Sequence, residues 1–232
     1  MTRRGRLIVI EGSDGSGKAT QSRRLAARLR RAGVPAVRIA FPGYHRSCFG
    51  ALVGRYLRGE FGASAAVDPH LAAVLYAGDR LEASRAIGRW LAEGKVVVCD
   101  RYVDSNKAHQ AARMPPAARA EFLRWVDKLE FGVLRVPKPD LTIFLRVPLA
   151  FADALIAAKG RRAYLRGKKR DIHEADAQHL RQAQRLYLQL ARARGTRRGA
   201  LIECVEHGQL LSRSDIAGRV WEALRRRGVV KK

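Results

Sequence analysis

The hydrophobic positions of the chain form two kinds of segment that alternate. Short apolar runs rich in β-branched residues end in polar or glycine-containing turns and predict five buried strands, at residues 6–10, 34–40, 95–99, 141–145 and 200–205. The longer segments between them have helical spacing and recognisable ends. Residues 18–32 stop before Gly33, and residues 69–93 begin after Asp68 and stop before Gly94.

Strands that alternate with helices predict a parallel, doubly wound sheet, so the expected fold class is α/β. In such folds the ligand binds outside the carboxyl ends of the strands. Chemistry is therefore expected just after the strands, at residues 12–20, 41–44, 100–102 and 206–208.

Length and composition indicate one globular domain over residues 1–232. The chain is 47% hydrophobic, which is enough for a substantial core. Its three cysteines are far apart and lack metal-binding spacing, so neither a disulfide framework nor a zinc site is indicated. No apolar run reaches the ~18 residues of a membrane span, and the N-terminus lacks the features of a secretion signal. We expect a cytoplasmic protein that does not bind membranes.

Positive charge is in large excess, with 46 Lys and Arg against 21 Asp and Glu, a formal net charge of +25. Such an excess attracts polyanions, which include nucleotide phosphates, nucleic acid and acidic membrane surfaces. Solvated arginines on helix surfaces, as in residues 23–31, explain much of the charge equally well. Charge alone leaves the choice open, and a basic tail at about residues 225–232 ends the chain.

A phosphate-binding loop follows the first strand directly. Its residues read GSDGSGKAT, with the spacing of a Walker A motif and a helix immediately after it. Backbone N–H groups and the helix N-terminus can cradle phosphates, and Lys18 places a charge on the transferred group. Ala19 stands where a Ser or Thr hydroxyl normally meets Mg²⁺, so the loop offers no hydroxyl there. The expected ATP-binding residues are Gly12, Ser13, Asp14, Gly15, Ser16, Gly17, Lys18, Ala19 and Thr20.

Four more motifs follow in order: FPGY at 41–44, LYAGDR at 75–80, DRY at 100–102 and PKPD at 137–140. With the loop, they make the chain resemble the thymidylate kinase family from Leu7 to about Tyr187. The resemblance implies a P-loop NTPase fold with a five-stranded parallel sheet flanked by helices, a mobile basic lid and a homodimer. It also implies transfer of the γ-phosphoryl group of ATP to dTMP, with Mg²⁺ as cofactor, in dTTP synthesis.

Tyr76 and Arg80 are the first candidates for acceptor binding. Their spacing of four residues places both on one helix face. A ring can stack on a pyrimidine there, and a guanidinium can donate to its O4 carbonyl. The alternative is a core tyrosine beside a surface arginine.

The resemblance assigns the other acceptor residues. It implies that Arg101 holds the dTMP phosphate and that Asp100 orders Mg²⁺ through water; a simple Asp-Arg ion pair is the alternative. Asn106 is implied as a base contact and His109 as a neighbour of the sugar, although an exposed structural histidine fits the sequence equally well. Asp14 is implied near the sugar 3′-hydroxyl and the metal region, and the acceptor-site wall is implied to include Phe41 and Tyr44.

A cationic stretch, GRRAYLRGKKRD at residues 160–171, lies between two helical segments and is similar to the lid of this family, at about residues 158–172. A flap that closes over ATP brings arginine to the reaction and excludes water. A solvated basic loop is the alternative. Asp171 and Glu174 match acidic positions that brace the closed lid.

Three other functions compete with thymidylate kinase activity. Two are P-loop enzymes, a deoxynucleoside kinase and a kinase of another monophosphate such as dUMP. The third is a basic nucleic-acid-binding protein regulated by nucleotide. Arg101 after Asp100 favours a phosphorylated acceptor, and no nucleic-acid-binding module is recognisable.

The catalytic arginine is expected from the lid. Some members of the family carry an arginine inside the P-loop at the position of Gly15, whereas others have a small residue there and supply arginine from the lid. Charge on the transferred group needs a cation beyond Lys18 and Mg²⁺. Arg162 is the first choice and Arg166 the second, among the lid arginines Arg161, Arg162, Arg166 and Arg170.

Alanine at the catalytic lid arginine should lower kcat by roughly 10³-fold or more, because the charge that it stabilises develops in the transition state. The KM for dTMP should change little. Single alanine substitutions at the four arginines, each assayed for kcat and both KM values, check this. If all four keep kcat within a few-fold of the parent, the lid is only a cover.

Overall fold

The structure is a computed structural model that describes residues 4–157, 163–165, 167, 171–173 and 176–230. Its centre is a parallel sheet with the strand order β2-β3-β1-β4-β5. The strands are β1 (Arg6–Gly12), β2 (Ala36–Ala40), β3 (Val96–Asp100), β4 (Leu141–Arg146) and β5 (Gly199–Glu203). The predicted parallel five-stranded sheet is confirmed.

Helices connect the strands and cover the sheet. They are α1 (Lys18–Arg31), α2 (Cys48–Leu57), α3 (Pro69–Ala92), α4 (Val103–Ala111), α5 (Pro116–Asp127), α6 (Leu149–Ala157), α7 (Ala177–Ala193), α8 (Gly195–Arg198) and α9 (Arg213–Arg226). Short 3₁₀ turns occur at Ser64–Ala66 and Ala163–Leu165, and a π-helix follows α5 at Lys128–Val133. Asp68 caps α3, as predicted, by accepting the backbone N–H of His70.

The fifth strand ends earlier than predicted, at residue 203 and not at residue 205. The sheet strand stops at Glu203, and Val205 instead pairs with Leu210 in a two-residue antiparallel ribbon, β6 (Val205–Glu206) with β7 (Gln209–Leu210). The apolar run continues through this change of direction, so hydrophobicity alone could not locate it.

The core lies on both faces of the sheet. Along β1, Leu7 and Val9 pack into one cluster with α3, α4 and α7, while Ile8 and Ile10 pack into another with α1 and α9. Because both faces are covered, the strands are continuous apolar runs rather than alternating ones. Within the described ranges, no helix is long and apolar enough to cross a membrane.

The helix α2 lies very close to the turn after β2, and the residue at the point of closest approach is Gly50. A Cβ built at Gly50 would lie 2.3 Å from the carbonyl oxygen of Gly43, whereas one built at Gly54 would meet only side-chain atoms at 3.4 Å. The two glycines belong to the same helix and differ in what they face.

Gly50→Ala should lower the free energy of unfolding by about 1–3 kcal/mol, because backbone must move to admit the methyl group. Gly54→Ala is the matched control. It should be neutral or stabilising by up to ~1 kcal/mol, as expected for alanine in a helix. Urea denaturation of both variants makes the measurement, and equal stabilities would contradict the close approach.

Candidate active site

The carboxyl ends of the strands open into a cavity of about 1000 Å³, a size typical of ligand sites. Its wall combines the loop after β1, the turn after β2 with part of α3, and the residues after β3. The predicted site residues that line it are Asp14, Gly15, Ser16, Gly17, Lys18, Ala19, Thr20, Phe41, Tyr44, Tyr76, Arg80, Asp100, Arg101, His109 and Asp171.

The loop between β1 and α1 is folded around its own lysine. Gly17 is the N-cap of α1 and has φ 86°, a left-handed conformation that a residue with a side chain adopts only at a cost. Nζ of Lys18 donates to the carbonyl oxygens of Gly12 at 2.8 Å and Ser13 at 2.7 Å. A buried cation and the N-terminus of a helix therefore lie together at the wall, which is the arrangement that binds phosphate.

Arg101 is held rigidly at the end of β3. Its φ of 66° is unusual for a residue with a side chain. Nη2 forms an ion pair with Asp14, and Nη1 donates to the hydroxyls of Ser105 and Tyr187, both at 3.3 Å. Burial disfavours the charged guanidinium, but Asp14, Tyr187 and the nearby carboxylates together outweigh it and raise the pKa of Arg101. The side chain is therefore held in one position and stays charged.

A buried carboxylate fixes the backbone beside Arg101. Glu11 of β1 accepts the N–H groups of Tyr102 at 2.7 Å and Ser105 at 3.1 Å, and the Ser105 hydroxyl at 2.6 Å. Burial raises the pKa of Glu11. These three bonds tie the start of α4 to the strand that leads into the phosphate loop.

Asp100 and Arg101 each form an ion pair, but not with each other. Nη2 of Arg38 on β2 donates to Oδ2 of Asp100 at 2.8 Å, and Nε of Arg38 donates to Ser22 at 2.8 Å. The alternative in which Asp100 and Arg101 simply pair together is therefore wrong. Sequence reasoning did not single out Arg38, because one arginine inside a strand carries no motif.

Tyr76 and Arg80 both face the cavity from α3, as their spacing predicts. Arg80 is only 1% exposed, so the alternative of a surface arginine is wrong. Its Nε and Nη2 each lie 2.5 Å from a carboxylate oxygen of Glu130. Burial opposes the charge, but Glu130 raises the pKa of Arg80. The ring of Tyr76 meets that of Tyr56 edge-on, with centroids 6.4 Å apart.

Asn106 lies behind the Arg80–Glu130 pair and not on the cavity wall. Its Nδ2 donates to the carbonyl oxygen of Ala73 and to Oε1 of Glu130, both at 3.0 Å. Its Oδ1 is buried and has no hydrogen-bond partner in the described part of the chain. A direct contact with the base stays a prediction for this residue.

Asp79 holds the turn after β2. It accepts the N–H of Gly43 at 2.8 Å and the hydroxyl of Ser47, which itself caps α2. Phe41 packs against Tyr102 with centroids 5.7 Å apart. Asp79, which precedes Arg80 in sequence, thus anchors the turn that carries the aromatic part of the wall.

A stacked pair of tyrosines joins the turn to the stretch that sequence assigned to the lid. Tyr44 stacks on Tyr164, with centroids 4.0 Å apart and planes within 10°. The Tyr164 hydroxyl donates to Asp171 at 3.0 Å, so this predicted lid-bracing residue contacts the lid stretch. The other predicted lid residues lie outside the described residues, namely Arg161, Arg162, Arg166, Arg170 and Glu174.

A family model described as Thymidylate kinase matches residues 10–199 of the chain. The chain belongs to the thymidylate kinase family. This family consists of ATP-dependent nucleoside monophosphate kinases, so the chain is an enzyme of that class.

The relatives of this thymidylate kinase family member cover most of its length. A thymidylate kinase of Mycobacterium tuberculosis H37Rv is 36% identical over 185 residues, 80% of this chain and 85% of that protein. One of Homo sapiens is 37% identical over 151 residues, 65% of each chain. A solved thymidylate kinase from Candida albicans has a TM-score of 0.73 at 21% identity, covering 99% of this chain and 96% of its own, and shows the shared fold.

Three buried histidines form a cluster beside this site. His109 of α4 and His179 of α7 share a hydrogen bond of 3.1 Å between Nδ1 and Nε2, and the rings of His179 and His173 stack at 4.4 Å. The exposed-histidine alternative for His109 is wrong, because the side chain is buried. Among the residues that the structure describes, no group of His, Cys, Asp or Glu is arranged to hold a metal.

The cluster is uncharged at neutral pH. Burial and the neighbouring histidines lower the pKa of His173, and burial together with Arg101 and His179 lowers that of His109. Burial lowers the pKa of His179 to about 4. Nη1 of Arg101 lies 3.4 Å from Nε2 of His109, so the cluster directly adjoins the arginine at the end of β3.

Stability should fall as the pH drops from about 6.5, the ordinary pKa of histidine, toward about 4, the pKa of folded His179. In this window the unfolded chain binds protons that the folded histidine does not, so the free energy of unfolding decreases. His179→Gln should weaken this dependence, because it removes the group whose pKa is lowered in the folded chain. Urea unfolding across the window tests this, and equal slopes for parent and His179→Gln would contradict it.

Proposed function

We propose that this protein transfers the γ-phosphoryl group of ATP to dTMP, giving ADP and dTDP for dTTP synthesis. The observation that carries the proposal is that one cavity of about 1000 Å³ holds a phosphate loop together with Tyr76, Arg80 and Arg101. The loop that would bind the phosphates of ATP thus shares one cavity with the groups that would bind the acceptor. Tyr76 and Arg80 would meet the base, and Arg101 would meet the acceptor phosphate. The relatives that align over most of the chain are thymidylate kinases.

The phosphates of ATP would bind the loop at residues 12–20. The carbonyl partners of Lys18 are weaker acceptors than a phosphate anion, so the ammonium exchanges them when the nucleotide arrives. Transfer then runs directly from ATP to the acceptor without a covalent enzyme intermediate. Positioning and charge neutralisation supply most of the rate in such reactions.

The acceptor would bind between Tyr76 and Arg101. The ring of Tyr76 stacks on the pyrimidine, and Arg80 donates to its O4 carbonyl. Arg101 exchanges its ion pair with Asp14 for the acceptor phosphate, and Asp14 would lie near the sugar 3′-hydroxyl. His109 is buried at the wall of the cavity and would be a neighbour of the sugar.

The residues present fit Mg²⁺ held mainly by the nucleotide. Of the two carboxylate oxygens of Asp100, only Oδ2 has a hydrogen-bond partner among the described residues. Oδ1 can therefore accept a hydrogen bond from a metal-bound water. When bound, Mg²⁺ neutralises phosphate charge. Ala19 contributes no hydroxyl to it, and dependence of turnover on added Mg²⁺ measures the requirement.

The lid is the proposed source of the catalytic arginine. Gly15 has φ 80°, and a Cβ built there would lie 2.8 Å from the carbonyl oxygen of Ala152. The loop as folded has no room for a side chain at this position, so the extra cation has to come from another segment. This supports Arg162 or Arg166 in that role.

We also propose a homodimer that forms through α3. Leu71 is 66% exposed, and Val74 and Leu81 are each 40% exposed. Their spacing of three and seven residues puts them on one helix face. An apolar stripe of this kind favours a second copy of the chain as its cover. A solution mass near twice 25.8 kDa is the measurement that decides it. A cytoplasmic location and a single domain over residues 1–232 stay predictions.

ATP-dependent ADP release should be fastest with dTMP when all common nucleoside monophosphates are compared. Lys18→Ala should reduce kcat by about 10²-fold or more and leave the fold intact, because its contacts are polar and local. Circular dichroism provides the folding control.

Other outcomes of the same screen identify the competitors. A preference for dUMP or for unphosphorylated nucleosides would replace dTMP as the acceptor. Salt-dependent retention of nucleic acid on filters without ADP release would indicate the nucleic-acid-binding alternative. Near-normal turnover of Lys18→Ala would remove the loop from the mechanism.

A further inference from the structure

Glu130 is a carboxylate completely buried next to the acceptor side of the cavity. It lies on the π-helix Lys128–Val133, 50 residues from Arg80 in sequence, and it is 0% exposed. Its two oxygens lie 2.5 Å from Nε and Nη2 of Arg80. The sequence contains no motif that singles it out.

The ion pair determines which part of the guanidinium can meet a ligand. A two-point pair between planar groups fixes both the position and the plane of the arginine head. Glu130 uses Nε and Nη2, so Nη1 is the nitrogen that remains for the cavity that Arg80 lines. Asn106 also donates to Oε1 of Glu130 and so steadies the carboxylate from behind.

Burial makes Glu130 necessary for this geometry. Arg80 is 1% exposed, and its guanidinium carbon lies 6.0 Å from the ring centroid of Tyr102. A buried cation without a counter-ion is costly, so without Glu130 the guanidinium would turn toward water or toward Asp79. Asp79 is already bonded to Gly43 and Ser47.

We propose that Glu130 is a positioning residue that sets the selectivity of the site for the group at C4 of the pyrimidine. By holding Arg80 through Nε and Nη2, it presents Nη1 as a fixed donor. A carbonyl at C4 accepts from that donor, whereas an amino group would place donor against donor. The site therefore takes 4-oxo pyrimidines and rejects 4-amino ones. This inference rests on the proposed function, in which Arg80 faces the base.

The test compares three acceptors, so that the effect of the group at C4 can be distinguished from the effect of the methyl group on the ring. dTMP and dUMP both carry the C4 carbonyl, while dCMP carries the amino group. In Glu130→Gln, the ratio of kcat/KM for dTMP over dCMP should fall by about tenfold or more, because the amide cannot accept both guanidinium N–H groups. The ratio for dTMP over dUMP should stay within about twofold, and KM for ATP and kcat within about threefold of the parent.

A matched control is available on the surface. Glu203 also pairs with an arginine, Arg146, at 2.8 Å, but its side chain is 43% exposed. Glu203→Gln should leave both acceptor ratios unchanged. This control separates a general effect of removing any Arg–Glu pair from the specific effect of the Arg80–Glu130 pair on acceptor selectivity.

A double-mutant cycle tests whether Glu130 acts through Arg80. Arg80→Met should itself lower the dTMP over dCMP ratio, and adding Glu130→Gln in that background should lower it no further. Circular dichroism verifies that each variant is folded. If Glu130→Gln does not fold, Glu130→Asp replaces it, because the side chain that is shorter by one methylene group keeps the charge but withdraws the carboxylate from its position beside Arg80.

A folded Glu130→Gln or Glu130→Asp that keeps the parent dTMP over dCMP ratio overturns the inference while the parent activity stands. Additive losses in the cycle also overturn it, since Glu130 would then act independently of Arg80. A parent enzyme without dTMP kinase activity is a different failure, because it overturns the proposed function on which the inference rests.

Discussion

The common direction of the five sheet strands is the constraint on which the rest of the molecule depends. Both faces of the sheet are covered by helices, and the cavity of about 1000 Å³ lies at the edge where the strands end. The phosphate loop follows β1, the aromatic turn follows β2 and Arg101 follows β3. Because these strands are neighbours in the sheet, three distant parts of the sequence meet in one cavity.

Charge inside that cavity is arranged in pairs before any ligand is present. Arg101 pairs with Asp14, Asp100 with Arg38, and Arg80 with Glu130. Ionised groups that have lost water need such partners. Under the proposed function, a phosphorylated ligand would exchange one partner of these cations for another and would not add a charge to an unprepared site. Little reorganisation is needed, which is the condition under which fixed charges catalyse best.

The fold could be predicted because each local pattern agreed with the whole. The third strand was expected at residues 95–99 and lies at Val96–Asp100, and α1 and α3 end within one residue of the expected positions. The site was predictable where its residues belong to motifs after strands. Glu130 and His179 were missed because their contacts depend on how separate helices approach, and a single Glu or His in a helix gives no signal of that.

The stack of Tyr44 on Tyr164 links two segments that sequence treats as separate. One ring belongs to the turn after β2, and the other belongs to the stretch between α6 and α7. Two ligands that each altered this contact would change each other's affinity by the same factor, since coupling between sites is reciprocal.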